Sequence, residues 1–409
     1  MPALKNIGVL AACRRDGGQD AIHLIRDAAL AWDAGRITFV GPASELPPTD
    51  GDAINARGRL VVPGLIDCHT HLAFGGWRAG EFVDRLRGRS YLDIAKSGGG
   101  IASTVRATRA ATSAELVARC DTWLREVVRL GVTTVEAKSG YGLTEDDELR
   151  LLSVYAEVSR ASAVRVVPTF LGAHTIPPEF QEQRSAYLEL LCGPLMTAVS
   201  ARRLARFCDV FVEDSAFTVE EARRVLAAAR ACGLGTKVHA DQLSDGGGAA
   251  LAVDMEAASA DHLDCVSSDG IARLAGSSTV AVSLPVATLY LGRPPMPARA
   301  LIDAGVPVAI ATDFNPGTAP TLHLPFAMLL ACTLQRMTPA EALKGATIYA
   351  ATAIGEAELC GSLEPGKRAD FAIVDAPDVD HWLYHFAPNR CVATYIEGEP
   401  IFTAQNFSR

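Results

Sequence analysis

The chain has 409 residues, of which 49% are hydrophobic and 21% are charged, and its formal net charge is −9. This composition is typical of a globular protein and excludes a largely disordered chain. The negative charge argues against a nucleic-acid surface, which needs a concentrated excess of Lys and Arg. No apolar stretch approaches the roughly 20 residues of a membrane span, and the start of the sequence lacks a secretory signal pattern. The ten cysteines include no Cys-x-x-Cys pair, so we expect free thiols in a soluble cytoplasmic protein.

The two ends of the sequence predict a small β domain that is built from both termini. Strand-like runs, which are short and broken by Gly, Pro and Asp, lie at 22–25, 36–40, 371–374 and 392–396. We expect residues 1–60 and residues 355–409 to form this domain together, as a small β-sandwich.

The middle of the sequence alternates between strand-like and helix-like segments. Eight short apolar runs are candidates for parallel strands: 61–66, 133–137, 164–171, 210–212, 236–238, 258–260, 279–284 and 306–310. Helical periodicity lies between most of them, as over 113–130, 145–160 and 219–232. Eight alternating repeats predict an α/β fold in which residues 61–354 close into a (β/α)8 barrel. An open doubly wound sheet is the alternative, although no Gly-x-Gly-x-x-Gly motif follows the first strand.

Polar side chains follow these predicted strands, at the end of the barrel where catalytic residues gather. His69 and His71 come after the first strand, and a spacing of two residues lets both imidazoles face one ion. Later strand ends add further candidates: Lys138, Ser139, Gly140, Tyr141, His174, His239, Asp241, Gln242, Asp261, His262, Asp313, Phe314 and Asn315. Each of these alone could cap a helix or bond a loop carbonyl. Together they predict one site whose imidazoles and carboxylate suit zinc or ferrous iron.

Six segments of the sequence resemble motifs of the amidohydrolase superfamily, and most closely those of its imidazolonepropionase family. They extend from residue 67 to residue 321 and read DCHTHLAFGGWRAGEF, EAKSGYGL, FLGAHTIPPE, HADQLSDGGG, SADHLD and TDFNPGTAPT. The segment GSLEPGKRADFAIVD, residues 361–375, resembles the return of such chains to their small β domain. Long, separate motifs of this kind are more specific than the histidines alone.

The resemblance implies a metal-dependent hydrolase that opens the cyclic amide of 4-imidazolone-5-propanoate to N-formimidoyl-L-glutamate, in histidine degradation. It implies one divalent ion per subunit, zinc or iron, with the ligands His69, His71, His239 and Asp313. It implies substrate contacts through Arg78, Tyr141, His174, Gln242, Asn315, Gly317 and Thr318. It also suggests a homodimer.

Asp313, His262 and Gln242 are the three candidates for catalysis. A divalent ion lowers the pKa of bound water toward ~7, so we expect hydroxide to attack the ring carbonyl. Asp313 is the expected proton shuttle to the departing ring nitrogen, and His262 is the competing shuttle. The resulting oxyanion needs nearby donors, for which His262 and His174 are candidates beside the metal. The chain has Gln242 where some relatives carry Glu, and because an amide cannot take a proton, another group would have to act as general base.

The propanoate arm of this substrate would explain Arg78, whose planar fork can hold a carboxylate through two hydrogen bonds, with Tyr141 as a further donor. The loop with Asn315, Gly317 and Thr318 could bind the carboxylate formed at the cleaved carbon, or it could be simple turn chemistry. Two other functions stay open. A purine or pyrimidine deaminase would share the metal ligands without needing Arg78, and a noncatalytic barrel would use the ion structurally.

Overall fold

Two eight-stranded sheets carry the β structure of this chain, whose computed structural model describes residues 1–49, 53–89, 93–94, 97–386, 388–405 and 407. The first, which we call the terminal sheet, is mixed and draws on both ends of the chain. Its strands are β1 (Ala3–Ala11), β2 (Leu24–Asp33), β3 (Arg36–Pro42), β4 (Ala53–Asn55), β5 (Leu60–Pro63), β14 (Phe371–Val374), β15 (Cys391–Ile396) and β16 (Glu399–Thr403). The order is β16-β15-β14-β5-β1-β2-β3, with β4 paired to β1. The two termini therefore meet where β5 pairs with β14.

The second sheet, which we call the barrel sheet, is parallel and keeps its strands in chain order. Its strands are β6 (Leu65–Asp67), β7 (Val132–Lys138), β8 (Arg165–Ala173), β9 (Phe207–Phe211), β10 (Gly235–Ala240), β11 (Ser259–His262), β12 (Val280–Ser283) and β13 (Val308–Ile310). Its two edges approach just beyond β6 and β13, where Thr70 and Phe314 form a parallel bridge. There the backbone N–H of Asp313 also donates to the carbonyl of His69, at 3.0 Å. The barrel thus closes at a seam formed by the segments that carry the first and last candidate ligands.

Helices lie between the barrel strands and at the C-terminal side of the last one. Their bounds are α1 (Ala79–Leu86), α2 (Ile101–Ala110), α3 (Ser113–Val128), α4 (Glu145–Ala161), α5 (Arg184–Leu190), α6 (Met196–Ala201), α7 (Val219–Ala231), α8 (Gly248–Asp254), α9 (Ser268–Ala275), α10 (Pro285–Leu291), α11 (Ala298–Asp303), α12 (Leu324–Gln335), α13 (Pro339–Gly345), α14 (Ile348–Ala353) and α15 (Val379–Tyr384). Several begin at a threonine that accepts a hydrogen bond from the backbone N–H three residues on: Thr112, Thr144, Thr218 and Thr338. Among the described residues, none of these helices combines the length and apolarity needed to cross a membrane.

The predicted barrel and the small terminal β unit are both confirmed, and so are the predicted helices over 113–130, 145–160 and 219–232, to within two residues at each end. The sequence predicts a small β-sandwich for the terminal strands. In the structure these strands pair into one continuous sheet. The division of the chain into domains of residues 1–60 with 355–409 and 61–354 stays a prediction.

The predicted barrel strand over 61–66 is wrong in its extent. Its first part is β5, which belongs to the terminal sheet, and only its last residues belong to β6 of the barrel sheet. Between the two lies Gly64, where a Cβ atom would overlap the side chain of Thr133. The chain therefore changes sheets at Gly64, within a run of apolar residues that are buried on both sides.

The two sheets share a core. Trp32, Phe371 and Tyr395 pack together within the terminal sheet, with centroid distances of 5.3 Å from Trp32 to Phe371 and 4.5 Å from Phe371 to Tyr395. A larger hydrophobic cluster fills the space between barrel strands and helices and also includes Val9 and Val374 of the terminal sheet. This cluster therefore joins the terminal sheet to the barrel.

Candidate metal centre and substrate cavity

The candidate ligands lie together at the seam of the barrel. Nε2 of His69 and Nε2 of His71 lie 3.5 and 3.4 Å from Oδ1 of Asp313. These three residues offer ligand atoms that all lie within 4.8 Å of one another. His69 belongs to a second group of the same size with His239 and His262. The four predicted ligands are therefore neighbours, and His262 lies next to them.

The imidazoles of this group are held neutral. Burial, together with the nearby Lys138, lowers the pKa of His71 to about 3 and the pKa values of His69 and His239 well below the usual range. Buried ring nitrogens of all three residues lack a hydrogen-bond partner among the described residues, Nε2 of His69 and both nitrogens of His239 among them. Unpartnered buried nitrogens are costly, whereas neutral imidazoles with a carboxylate are the ligands that zinc and iron accept. The donor set therefore fits a divalent ion.

Two buried carboxylates contact the ligands from below. Nδ1 of His69 lies 2.6 Å from Oδ2 of Asp261, a hydrogen bond that leaves Nε2 of the ring as the ligand atom. Nδ1 of His239 lies 3.0 Å from Oδ2 of Asp209, although outside hydrogen-bond geometry. The backbone N–H of His239 donates to the other oxygen of Asp209, at 3.1 Å. Outer carboxylates of this kind fix the orientation of ligating imidazoles.

The barrel interior below the ligands is a buried ionic cluster. Nζ of Lys138 lies 2.9 Å from Glu136, 2.7 Å from Asp209 and 3.4 Å from Asp261, and Nζ of Lys237 lies 2.9 Å from Glu136. All five side chains are fully buried. Burial alone would lower the pKa of Lys138, but the surrounding carboxylates raise it, so the ammonium stays charged. The three carboxylates exceed the two ammoniums by one negative charge, which favours a cation above them.

Sequence reasoning missed the roles of Glu136, Asp209 and Lys237 in this cluster. A charged residue inside a buried strand could have revealed these roles. Because such a strand is buried on both faces, its charge needs an oppositely charged partner nearby. Glu136 and Lys138 are two residues apart in β7, and so are Lys237 and His239 in β10. The side chains of each pair therefore point to the same face of their strand, toward the barrel interior.

A cavity of about 760 Å³ opens above the candidate ligands. Its walls include most of the predicted site residues, namely His71, Arg78, Tyr141, His174, His239, Gln242, His262, Asp313, Asn315 and Thr318. His69 lies beneath the cavity, and Gly317 lies behind Arg78. Apart from His69 and Gly317, the predicted metal ligands and the predicted substrate contacts therefore face one space.

Arg78 is a buried cation at the wall of this cavity. Its side chain is 5% exposed, and Nε and Nη1 have no hydrogen-bond partner among the described residues. The nearest carboxylate, on Glu81, lies 3.8 Å from Nη1. At Gly317 a Cβ atom would overlap the guanidinium, so the absence of a side chain there makes room for Arg78. A desolvated guanidinium with spare donors calls for an anion.

His174 presents a hydrogen-bond acceptor. Its Nδ1 lies 3.0 Å from the carbonyl oxygen of Gly140, which can only accept, so Nδ1 carries the proton. Burial, and the neighbouring His71, lower the pKa of His174 to about 3, so the ring is neutral and Nε2 keeps its lone pair. The ring stacks on His71 and lies beside Tyr141, with centroid distances of 5.4 and 5.3 Å.

The loop after Asp313 is held by the side chain of Asn315. Oδ1 of Asn315 accepts hydrogen bonds from the backbone N–H groups of Gly317 and Thr318, both at 2.8 Å. Its Nδ2 donates to the carbonyl of Asp313 at 2.7 Å and to Oγ1 of Thr318 at 3.0 Å. Asn315 therefore uses its amide within the loop and fixes the backbone beside Asp313.

His262 and Asp313 both adopt left-handed backbone conformations, with φ of 80° and 55°. Such conformations cost energy for residues with a side chain and are common at functional sites. Burial raises the pKa of Asp313 to about 6, although the nearby His262 opposes this shift.

Gln242 lines the cavity. The next residue, Leu243, donates its backbone N–H to the carboxylate of Glu213 at 2.9 Å, a contact that was not predicted from the sequence.

Comparison with known proteins identifies relatives along most of the chain. Residues 60–401 match the amidohydrolase family. The imidazolonepropionase of Geobacillus thermodenitrificans is 46% identical over 374 residues, which are 90% of this chain and 88% of that protein. The imidazolonepropionase of Symbiobacterium thermophilum is 49% identical over 369 residues, which are 88% of this chain and 87% of that protein.

Solved structures with similar folds are more distant in sequence. Guanine deaminase of E. coli has a TM-score of 0.75 at 17% identity, covering 98% of this chain and all of that chain. An adenosine deaminase from Xanthomonas campestris with bound zinc has a TM-score of 0.72 at 18% identity, covering 99% of this chain and 93% of that chain. At such identities the likeness establishes the fold alone.

Proposed function

Because the chain belongs to the amidohydrolase family and, within it, to the imidazolonepropionases, we propose that it hydrolyses 4-imidazolone-5-propanoate to N-formimidoyl-L-glutamate, in histidine degradation. Water adds to the ring carbonyl, the bond from that carbon to the ring nitrogen breaks, and the nitrogen takes up a proton. The observation that carries this proposal is the buried guanidinium of Arg78 in the wall of the cavity above the ligand group, where Nε and Nη1 lack a hydrogen-bond partner among the described residues and the carboxylate of Glu81 lies 3.8 Å away. A deaminase acting on a neutral purine would leave that charge unused.

The proposed metal ligands are His69, His71, His239 and Asp313, for one divalent ion. When bound, such an ion supplies Lewis acidity, which acidifies water and polarises a carbonyl. The neutral imidazoles and the outer carboxylates of Asp209 and Asp261 support this assignment.

Arg78 binds the propanoate carboxylate of the substrate. Its spare N–H donors match the two oxygens of a carboxylate, and a charge-assisted pair in a desolvated wall is strong and directional. Tyr141 lies in the same cavity wall and contributes its ring beside His174. These contacts orient the substrate so that its ring faces the ligand group.

His174 recognises an N–H group of the imidazolone ring. Its Nε2 accepts a hydrogen bond, since the proton of the neutral ring is on Nδ1. An acceptor cannot stabilise an oxyanion, so of the two histidines considered for that role we assign it to His262. The donors of Asn315, Gly317 and Thr318 are used within their own loop, so of the two readings of this loop we assign it turn chemistry that fixes the backbone beside Asp313 and the cavity wall.

Asp313 moves the proton between water and the leaving nitrogen. Its carboxylate lies both in the ligand group, beside His69 and His71, and in the cavity wall that the substrate ring faces, which is the placement that a proton shuttle needs. His262, a neighbour of the ligand group, is the competing shuttle. Gln242 can donate or accept hydrogen bonds to the substrate but cannot take the proton.

The direct test offers freshly prepared imidazolonepropanoate to protein of known metal content and identifies the product. We expect formimidoylglutamate, with turnover that is proportional to bound metal and is lost after chelation. Release of ammonia from a purine or pyrimidine without ring opening would replace the proposal by a deaminase. Absence of turnover on any cyclic amide or amine by metal-replete protein would favour a structural ion.

Three finer points belong to this proposal. Zinc and iron both accept the ligand set, so the identity of the ion follows from the metal content of active protein. All ten cysteines are free thiols, which suits the expected cytoplasmic location. A homodimer is the expected assembly and is tested by the mass of the protein in solution.

A further inference from the structure

The loop that follows β7 is held by the buried carboxylate of Glu148. Both oxygens of Glu148 accept from the N–H of Gly140, at 3.1 Å each, and Oε1 also accepts from the N–H groups of Gly142 at 2.8 Å and Leu143 at 2.9 Å. Glu148 is fully buried. Burial raises the pKa of Glu148, while the hydroxyl of Ser139 and these N–H groups oppose the shift. One side chain therefore binds three backbone N–H groups within the four residues 140–143 of this loop.

These hydrogen bonds are not needed to begin the helix on which Glu148 lies. The N-terminus of α4 is capped by Thr144, whose Oγ1 accepts from the N–H of Asp147 at 3.2 Å. The loop itself has two residues with positive φ, 99° at Gly140, which glycine adopts readily, and 58° at Leu143, which is unfavourable. A leucine in the left-handed region costs energy, so the Glu148 contacts offset strain in the loop and not in the helix.

This loop supplies two groups to the substrate cavity. Tyr141 is one of its residues, and the ring lies in the cavity wall. The carbonyl of Gly140 accepts from Nδ1 of His174 and so decides which nitrogen of that ring carries the proton. A Cβ atom at residue 140 would lie 3.0 Å from Nδ1 of His174, so the backbone approaches the ring closely. Movement of the loop would therefore change both side chains together.

We propose that Glu148 is a positioning residue for substrate recognition, which acts through the Gly140 backbone to set the tautomer of His174 and the position of Tyr141. Glu148 touches neither the cavity nor the candidate ligands. Its effect is on the binding of the substrate ring, so that it changes KM more than kcat. This role rests on the proposed function of the cavity.

The kinetic test compares Glu148→Gln and Glu148→Ala with the wild-type protein. Glu145→Gln is the matched control, because Glu145 is an exposed carboxylate on the same turn of α4. The glutamine keeps one acceptor oxygen but turns an N–H2 group toward the loop. We expect KM to rise about tenfold in Glu148→Gln, which corresponds to ~1.4 kcal/mol of binding, and further in Glu148→Ala. In both variants kcat and metal content should change by less than about threefold, and Glu145→Gln should match the wild type.

A lower melting temperature with unchanged KM in both Glu148 variants would overturn the proposal, since it would mean that Glu148 stabilises the fold alone. A measurement on the wild-type protein covers the case in which neither variant folds. In ¹⁵N-histidine spectra, the resonances lost in His174→Ala identify His174. We expect its proton on Nδ1, and a proton on Nε2 would break the proposed link to Gly140.

The tautomer of His174 is measured without turnover, so it separates this proposal from the proposed function. Wild-type protein that fails to open imidazolonepropanoate rejects the function. Wild-type protein that opens it, with His174 protonated on Nε2, rejects the role of Glu148. In Glu148→Gln that folds, we further expect the His174 resonances to shift, because the Gly140 carbonyl moves. Unchanged His174 resonances in that variant would also overturn the proposal.

Discussion

Nδ1 of His69 lies 2.6 Å from Oδ2 of Asp261, and both side chains are completely buried. The contact joins the candidate metal ligands to the ionic cluster in the barrel interior, because the same oxygen of Asp261 lies 3.4 Å from Nζ of Lys138. Although burial favours the neutral acid, Lys237 and Lys138 lower the pKa of Asp261, so it acts as a charged acceptor. Asp261 thereby orients His69 with Nε2 free for an ion.

Asp261→Asn should weaken metal binding while the barrel stays folded. The amide keeps the shape of the side chain but loses the charge that holds His69, and loss of an outer partner typically costs 10–100-fold in metal affinity. The remaining carboxylates of Glu136 and Asp209 still balance Lys138 and Lys237. The check is the dissociation constant of zinc by competition with a chelator, with the exposed Asp269→Asn as control. Equal affinity in both variants would contradict the role of Asp261.

Asp313→Asn should remove most of the activity and leave the fold. The amide cannot shuttle a proton and is a poorer ligand, and loss of a general acid–base group alone costs about 10²–10⁴-fold in rate. The measurement is kcat per bound metal at saturating metal, with the melting temperature as a check on folding. Near-normal turnover in metal-loaded Asp313→Asn would make His262 the shuttle and exclude Asp313 as an essential ligand.

The alternation of strands and helices was sufficient to predict the barrel, but the place where the chain changes sheets could not be found in this way. Residues 60–66 form one apolar run, and all of them are buried. Periodicity distinguishes a buried face from an exposed one, so it carries no information where both faces are buried. The strand pairing reveals the change from the terminal sheet to the barrel sheet, since β5 pairs with β1 and β14 whereas β6 pairs with β7.

The candidate site was predictable where its residues follow strand ends or lie within family motifs, as His69, His239 and Asp313 do. The residues that hold these site residues in place were not predictable from the sequence. Asp209 lies within a strand, and Glu148 lies on a helix that follows the loop it holds. Their roles depend on distances across the barrel and between side chain and backbone, which the sequence does not encode as a spacing.

Asp264 should make stability depend on pH in the acidic to neutral range. Burial raises its pKa from 3.8 to about 7, against the hydrogen bond from Thr288. The folded protein therefore holds a proton on Asp264 that the unfolded chain releases between these values, so the contribution of Asp264 to the free energy of unfolding falls as pH rises through this window. One such group contributes at most about 1.4 kcal/mol per pH unit.

Asp264→Asn should reduce that pH dependence without removing it, because burial also raises the pKa of Asp67 to about 7. The check is the free energy of unfolding in urea at about pH 5 and about pH 8. The buried histidines with lowered pKa values add stability as pH rises, so Asp264→Asn should gain more, or lose less, stability than the wild type between the two pH values. Asp269→Asn, an exposed carboxylate on α9, should keep the wild-type difference. An unchanged difference in Asp264→Asn would mean that Asp264 is ionised in the folded protein at acidic pH.

Arg78→Ala should weaken the binding of substrates that carry the propanoate arm. Each lost hydrogen bond between charged groups is worth about 1.5–3 kcal/mol, so kcat/KM should fall by at least about tenfold. A truncated ring without the arm should be turned over equally by both proteins. Arg78→Lys should recover little, since an ammonium cannot form the two parallel bonds of a guanidinium. Equal losses on the full and the truncated substrate would reject the carboxylate clamp.

Gly317→Ala should reproduce the effect of Arg78→Ala although it leaves the arginine in the chain. The added methyl group would overlap the guanidinium, so Arg78 must leave its place in the cavity wall. We expect kcat/KM for the propanoate substrate to fall at least about tenfold, with little change for the truncated ring. Gly80→Ala is the matched control, because it lies on α1 beside Arg78 and a Cβ atom there meets nothing within 4 Å. The double variant of Arg78→Ala and Gly317→Ala should lose no more than Arg78→Ala alone, since both changes remove the same contact. Additive losses in the double variant would show that Gly317 serves the substrate directly, through its backbone, and not through Arg78.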